Sequence, residues 1–325
     1  MVSIEIDQRS CTGCGLCVEL CPLSVFDSAP SGGDSVPKAK RPEDCCACMT
    51  CSGKCPQAAI SVTEKEPPRR YLDEEDAPAI LLSPEEQAYY KEYAEVLERI
   101  LKLRWKPVAV TLIRKNEPLP HIPVPRVRLR YCQSLIMARR GRQILMPPSS
   151  HACPDGASIL GLMKIPPKLA AGEIYHKLGK LASSEAAKTL VHGRPKLHEE
   201  SVRATLVTPL AEPVMRADIV VVMAPPETMM WLCMASTYFT GRRMNFQMGC
   251  YNAQCLETTL HPYTTQELNL SLGCYGCRAI SDLGDELMFI GIPLAKMEQL
   301  TAGLTHLGKK AIPDSRMKAY LPPLA

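Results

Sequence analysis

Nine of the sixteen cysteines in this 325-residue chain fall within its first 55 residues, eight of them in two runs of one pattern. Cys11, Cys14, Cys17 and Cys21 follow C-x2-C-x2-C-x3-C with Pro22 after the last; Cys45, Cys48, Cys51 and Cys55 follow it again, with Pro56 after the last. Three thiolates two residues apart wrap a tight loop around one face of a four-iron, four-sulfide core. The fourth lies on the short helix that follows and reaches the other core, and the proline turns the chain away. In that crossed arrangement Cys11, Cys14, Cys17 and Cys55 hold one cluster, and Cys45, Cys48, Cys51 and Cys21 hold the second. Zinc is the competing reading of any C-x2-C pair, but a zinc site uses four ligands in two pairs rather than eight in a duplicated run. Cys46 is surplus to the pattern. Gly13 and Gly15 allow close backbone approach and leave amides free for cluster sulfurs.

Residues 1–63 resemble the bacterial two-cluster ferredoxin family. The resemblance implies a duplicated βαβ unit holding two 4Fe–4S clusters, one-electron transfer, and a donor or acceptor protein as partner. Ile4–Ile6 and Ile60–Val62 fit its short outer strands. The segment between Cys21 and Cys45 is longer than in the smallest members, and its Gly, Ser and Pro content predicts a surface excursion.

The remaining cysteines have less regular surroundings. Cys132 lies in Arg-Tyr-Cys-Gln at a helix start, and Cys153 in His-Ala-Cys-Pro-Asp-Gly just before another. Cys250 and Cys255 share Gly-Cys-Tyr-Asn-Ala-Gln-Cys, and Cys274 and Cys277 share Leu-Gly-Cys-Tyr-Gly-Cys-Arg. Helix starts favour thiolates and glycine neighbours permit close approach. The expectation is that Cys132, Cys153, Cys255 and Cys274 converge on one redox site, with Cys250 and Cys277 in reserve. A third cluster, another redox cofactor, zinc, a reactive cysteine pair, and simple burial as small apolar residues all remain open. His151 is a further candidate ligand, and Cys233 in MMWLCMASTY reads as core.

These groups need elements to hold them. Residues 1–66 form the ferredoxin domain, 67–83 a proline-rich charged linker, and 84–325 a mixed α/β domain, giving an α+β chain as a whole. Ser83, Pro84 and Glu86 form a capping box that opens a helix, with Tyr89, Tyr93, Val96, Leu97, Ile100 and Leu101 as its buried face. Pro107 ends that helix and Val108–Ile113 reads as an inner strand. Leu206–Thr208, Ile219–Met223 and Leu287–Ile290 are further strands. Helices are predicted over Pro225–Gly241 and over Leu294–Leu307, with Gly308 just past the end of the second. There is no G-x-G-x-x-G after a strand, no P-loop and no H-E-x-x-H.

Several stretches of this second domain, taken in order, resemble the family known as domain of unknown function 169. They are Leu103-Arg-Trp-Lys-Pro-Val-Ala-Val110, Arg130-Tyr-Cys-Gln133, His151-Ala-Cys153 with Gly156 and Leu160-Gly-Leu162, Pro225-Pro226 with Met229, Asn269-Leu-Ser-Leu-Gly-Cys274 with Gly276 and Arg278, and Gly291-Ile-Pro293. The resemblance covers about residues 88–310, implies an anaerobic setting, and supplies no reaction.

Charge divides the chain. Residues 1–66 carry 6 Lys and Arg against 9 Asp and Glu, while the rest carries 32 against 25. The acidic module is therefore expected to rest on the basic stretch Arg126–Arg142, which also suits an anionic small-molecule substrate. Aromatic residues barely interleave with those arginines, which argues against nucleic acid. Clustered cysteines without a basic-then-apolar leader predict a reducing cytoplasm, and no apolar run is long enough to span a membrane. The leading expectation is a ferredoxin-type oxidoreductase passing low-potential electrons to a cysteine site in the second domain. The alternatives are a non-catalytic electron-transfer subunit docking to a partner enzyme, and a redox sensor or metallocentre-assembly factor.

Residues 1–66, purified without oxygen, are expected to hold about eight irons with matching sulfide. Cys46→Ser should keep both clusters and Cys48→Ser should lose or convert one. Iron analysis and EPR of the reduced protein check this, and the reverse result for the two variants would shift the ligand register by one residue.

Overall fold

The computed structural model describes residues 2–27, 36–64, 80–281 and 283–313. Most of the expected linker and part of the expected excursion after Cys21 lie outside those residues.

The first domain runs β1 (Val2–Ile6), α1 (Leu16–Leu20), β2 (Phe26–Asp27), β3 (Lys38–Ala39), α2 (Thr50–Lys54) and β4 (Ile60–Glu64). β1 pairs antiparallel with β4, from Val2 opposite Glu64 to Ile6 opposite Ile60, and β2 pairs with β3. Left-handed backbone turns at Gly13, Gly15 and Ser24 recur in the same order at Ala47, Met49 and Ala58. The second set uses side-chain-bearing residues in a conformation that favours glycine, so the turn itself is what the local geometry demands.

The second domain opens with α3 (Pro84–Leu101), entered through the full Ser83–Glu86 capping box. Leu81 ties the preceding segment down by donating to Val214 O at 2.7 Å. The buried face of α3 carries Tyr90, Ala94 and Leu97, with Tyr89 outside. Of the expected face, Leu97 is fully buried and Tyr93, Val96, Ile100 and Leu101 pack partly buried against the same core, while the Tyr90 hydroxyl accepts the Ala217 N–H at 2.7 Å beside them. The helix ends at Lys102 in the left-handed region, ahead of Pro107.

There follow β5 (Val108–Arg114), α4 (Tyr131–Ala138), β6 (Ile144–Met146), α5 (Pro154–Ile159), α6 (Pro167–Ala170), α7 (Glu173–Lys177), α8 (Ser184–Gly193), β7 (Val202–Pro209), β8 (Ile219–Ala224) and α9 (Pro226–Thr237). A π-helix (Ala253–Leu260), α10 (His261–Thr265), β9 (Asn269–Ser271), α11 (Tyr275–Ile280), β10 (Met288–Pro293) and α12 (Met297–Lys310) complete the domain. Six strands form one sheet in the order β6-β7-β5-β8-β10-β9, and every pairing in it is antiparallel.

Both faces of this sheet are covered. Val108, Val110, Ile219, Val221, Met223 and Phe289 face α4, α5 and the π-helix. Ala109, Val220, Val222, Ile290 and Ile292 face α3, α9 and α12. Apolar residues on both sides of each central strand explain why they read as nearly continuous hydrophobic runs. Gly308 lies within α12 rather than beyond it; a methyl there would sit 3.1 Å from Ile100, so the glycine lets α12 close on α3. Among the described residues no helix is long and apolar enough to cross a membrane.

One buried polar network holds the first sheet face together. Asp155, in the first turn of α5, pairs with Arg194 and also accepts from the Tyr175 hydroxyl and from Asn252 Nδ2 at 2.8 Å. The two charged side chains are only 8% and 6% exposed. Burial pushes the Asp155 carboxyl up, but the Arg194 charge and the hydrogen bonds from Arg194, Tyr175 and Asn252 outweigh it and hold it below its ordinary value. Asn252 is itself left-handed (φ 55°) and opens the π-helix.

Because its folded pKa is depressed, Asp155 contributes stability that is present above the ordinary carboxylate range and lost as pH falls through its folded value. Arg194→Met should cost about 3–5 kcal/mol, since it leaves a buried carboxylate unpaired. It should also weaken the acid dependence of the melting temperature that the wild type shows below about pH 4. Gly291→Ala should cost about 1–3 kcal/mol, because the added methyl would collide with the Thr258 carbonyl where β10 meets the π-helix. Thermal unfolding across pH checks both; an unchanged midpoint in either variant would count against the packing described.

Candidate functional site

The second cysteine loop of the first domain, together with Cys21, encloses a cavity. Cys21, Cys45, Cys48 and Cys51 line it together with the surplus Cys46, Thr50 and the apolar Val25, Phe26 and Val62. Cys45 and Cys51 lie within electrostatic reach of Cys21, and Cys17 within that of Cys11 and Cys14. Backbone N–H groups point at sulfur: Val25 donates to Cys21 Sγ at 3.3 Å, Ala47 to Cys45 Sγ at 3.4 Å and Ala59 to Cys55 Sγ at 3.3 Å. Such donors stabilise thiolate and cluster sulfur. Burial raises Cys17 and Cys45, and raises Cys51 to about 12, so the bare thiols resist ionisation and a cationic core would reverse that balance. The Cys46 thiol donates to Cys48 and brings it down to about 6 against burial, with Thr50 and Arg130 helping.

In the second domain, four cysteines from separate stretches of sequence come together on one side of the sheet. Cys132 lies in the first turn of α4, and Cys153 caps α5 by accepting the Gly156 N–H at 3.5 Å. Cys255 lies in the first turn of the π-helix and Cys274 precedes α11. Each is in electrostatic reach of others: Cys132 of Cys274 and Cys153, and Cys255 of Cys153 and Cys274. A methyl on Gly156 would sit 3.2 Å from Cys255 Sγ and 3.6 Å from Cys153 Sγ, and one on Gly276 would sit 3.9 Å from Cys274 Sγ. The two glycines keep the floor of the site clear.

Burial lifts the Cys132 thiol to about 12, Cys153 to about 11, and Cys255 well above its ordinary range, with the neighbouring charges adding to the effect. Cys274 moves the other way, to about 6, because the Cys277 thiol and the backbone N–H groups of Cys277, Ala253 and Gly276 donate to it against burial. Four ionised sulfurs this close would repel one another; a positively charged core between them makes that state stable. Among the described residues no three His, Cys, Asp or Glu side chains lie at the spacing of a single metal ion. A four-iron core, with a thiolate at each corner, requires a wider spacing.

The other candidates occupy different places. Cys277 is buried behind Cys274 and donates to its carbonyl. Cys250 is exposed at the rim, its N–H held by Glu257 Oε1 at 2.8 Å. Cys233 belongs to the opposite face of the sheet. His151 is buried with Nε2 3.4 Å from the Thr205 hydroxyl, and burial lowers it to about 4.

Three residues of the site escaped the sequence reading. Lys180 follows α7, its ammonium 5.1 Å from the Tyr275 ring centre and 5.6 Å from that of Tyr175, within reach of Cys274 and Cys153. Burial lowers its pKa while those thiolates oppose the change. Gln254 is 2% exposed with Oε1 3.8 Å from Cys274 Sγ, and among the described residues its Nε2 has no partner. Arg130 was read as part of a basic stretch and of the Arg-Tyr-Cys-Gln motif, without a role of its own. Its Nη2 donates to the Cys48 carbonyl at 2.8 Å, and its Nη1 lies against Gly276.

Arg130 thus touches a cysteine loop of the first domain and the cysteine site of the second. Around it, Arg128 pairs with Glu64 through both N–H and guanidinium at 3.0 and 3.2 Å, and Cys46 Sγ lies 3.9 Å from the Ala152 carbonyl. Lys168 donates to Val18 O at 2.7 Å and Lys177 pairs with Glu19 at 3.2 Å. Contact with the acidic module is therefore made by Arg128 and Arg130 within the basic stretch, whereas Arg139 and Arg140 stack on Trp105.

Comparison with known proteins finds two family matches along the chain. A 4Fe–4S dicluster domain matches residues 10–60, and domain of unknown function 169, described as uncharacterised ArCR, matches residues 96–303. An uncharacterized protein of Methanocaldococcus jannaschii, MJ0308, is 30% identical over 219 residues, covering 66% of this chain and 94% of its own length. A ferredoxin of Methanothermococcus thermolithotrophicus is 44% identical over 64 residues, 19% of this chain and the whole of that protein. An uncharacterized ferredoxin of Methanocaldococcus jannaschii, MJ0199, is 40% identical over 63 residues, 19% of this chain and 95% of its own length. No solved structure matches. The dicluster match supports two 4Fe–4S clusters in the N-terminal domain. With its larger part matched throughout by that family's model, the chain belongs to the domain-of-unknown-function 169 family and carries a ferredoxin-type 4Fe–4S domain at its N-terminus.

Proposed function

We propose that this chain is an iron–sulfur oxidoreductase in which the ferredoxin domain exchanges electrons with a cysteine centre in the second domain. The carrying observation is Arg130, one side chain in contact with both the Cys48 loop and the Gly276–Cys274 turn. Cys11, Cys14, Cys17 and Cys55 would hold one cluster, and Cys45, Cys48, Cys51 and Cys21 the other, in a duplicated βαβ unit. Cys132, Cys153, Cys255 and Cys274 would hold a third. Bound 4Fe–4S clusters supply one-electron carriage; the chain's own work is to hold, space and tune them. Arg130 neutralises thiolate charge on both sides of the junction, and the Arg128–Glu64 pair sets the register between the domains. Covalent linkage keeps donor and acceptor at high effective concentration without a second binding step. The cytoplasm of an anaerobe, an electron-donor or acceptor protein and an anionic substrate fit this reading.

The full chain, purified without oxygen and reconstituted, should carry about twelve irons, and residues 84–325 alone about four. Cys274→Ser should remove about four from the full chain and leave the ferredoxin EPR signals intact. A wild-type chain with about eight irons and a colourless second domain would reject the third site. Transfer between the domains should change little with ionic strength, because the junction is packed and partly buried and screening acts chiefly on exposed charges. Rates that fall steeply with salt would instead indicate a mobile encounter.

A further inference from the structure

A centre held by four thiolates is anionic, and each added electron makes it more so. Its reduction potential follows the charges and hydrogen bonds around its sulfurs. Burial alone would make such a centre harder to reduce. Three groups in the second domain act against that. Lys180 is fixed by the Tyr175 and Tyr275 rings, and its backbone carbonyl accepts from the Tyr251 hydroxyl at 2.8 Å. Arg130 is fixed through Cys48 O. Among the described residues neither cation forms an ion pair with a carboxylate; the Lys180 ammonium is within electrostatic reach of Cys274 and Cys153, and of Asp155 more weakly. The third group is Gln254. It is buried beside Cys274 with an amide nitrogen orphaned among the described residues, and an ionised Cys274 can only accept. Turning the amide over exchanges Oε1 and Nε2, so that Nε2 takes the position beside Cys274 Sγ and donates to that sulfur.

The surroundings of the ferredoxin clusters differ. Their domain is net acidic, with Asp7 beside the first loop, while Glu19 there is paired with Lys177 and Lys168 rests on the Val18 carbonyl. Arg130 reaches only the second loop, and Lys180 acts on the Cys274 and Cys153 sulfurs.

We infer that the cysteine centre of the second domain is the electron-accepting end of the chain, held at a higher potential than either ferredoxin cluster by Lys180 and the Gln254 amide. This rests on the third-cluster reading above. The step is a single electron leaving a reduced ferredoxin cluster and arriving at the second-domain centre, with no bond made or broken; the electron is first supplied by a low-potential one-electron donor. Lys180 and Gln254 are positioning residues that act on the centre without binding iron.

The test is an EPR-monitored redox titration of the full reconstituted chain with iron counted in every sample. The wild type is expected to show a centre that reduces before both ferredoxin clusters and is lost in Cys153→Ser, a variant that keeps an oxygen able to cap α5. Lys180→Gln and Gln254→Leu should each shift that centre to more negative potential and leave the ferredoxin signals in place, while Lys180→Arg should restore it. Retention of about twelve irons with the second-domain centre reducing last, or unshifted by both substitutions, overturns this inference alone. About eight irons in the wild type, unchanged in Cys153→Ser, overturns the third-cluster reading and this inference with it.

Discussion

The buried Asp155–Arg194 pair is the constraint on which the second domain's cysteine site depends. It joins the start of α5, the segment after α8 and, through Asn252, the entrance to the π-helix. Cys153 is two residues before Asp155 and Cys255 is three after Asn252, so this cluster of charge and amide sets the separation of two sulfurs. A buried ion pair is costly to desolvate and stabilises only when its remaining hydrogen-bond sites are filled. Tyr175 and Asn252 fill them here, which makes the geometry specific to one arrangement of three chain segments.

The π-helix extends that logic. Its wider turn lets the Thr258 and Thr259 hydroxyls both donate to the Gln254 carbonyl, at 3.0 and 2.7 Å, while Thr259 also meets the Tyr131 hydroxyl at 2.7 Å. Tyr131 precedes Cys132, so α4 and the π-helix are joined one residue from Cys132 on one side and four residues from Cys255 on the other. Glu257, on the next turn, accepts from the Gly249 and Cys250 N–H groups and from Ser271, pinning the rim of the site to β9. π-helical turns recur at functional sites because they re-aim side chains that a regular helix would bury. Gly291 makes this possible by giving the Thr258 carbonyl room against β10.

The junction between domains is small and polar, with its contacts aimed at backbone carbonyls of Cys48, Val18 and Ala152. Carbonyl contacts fix position without adding negative charge beside clusters that already carry it. Arg128–Glu64 adds a half-buried ion pair at the end of β4, where the first domain's last strand leads out toward the second.

Local chemistry was legible in the residues alone. The C-x2-C-x2-C-x3-C-P runs, the Ser83–Glu86 capping box and the apolar strands at Val108–Ile113 and Ile219–Met223 each depend on neighbours in sequence, and spacing reports them directly. Cys132, Cys153, Cys255 and Cys274 could be singled out because glycines and helix starts adjoin them, but that they face one another follows from the antiparallel order β6-β7-β5-β8-β10-β9, which no local signal encodes. The expected face of α3 packs on the core at every position but Tyr89, whereas Tyr90 was missed because its partner, the Ala217 N–H, lies 127 residues away. Gly308 was taken for a helix stop because glycine reads that way locally, whereas here it serves contact with Ile100. Lys180, Gln254 and Arg194 carried no pattern at all. A lysine, a glutamine or an arginine becomes specific only when the fold strips away its water and leaves it one set of partners, and that desolvation belongs to the tertiary structure.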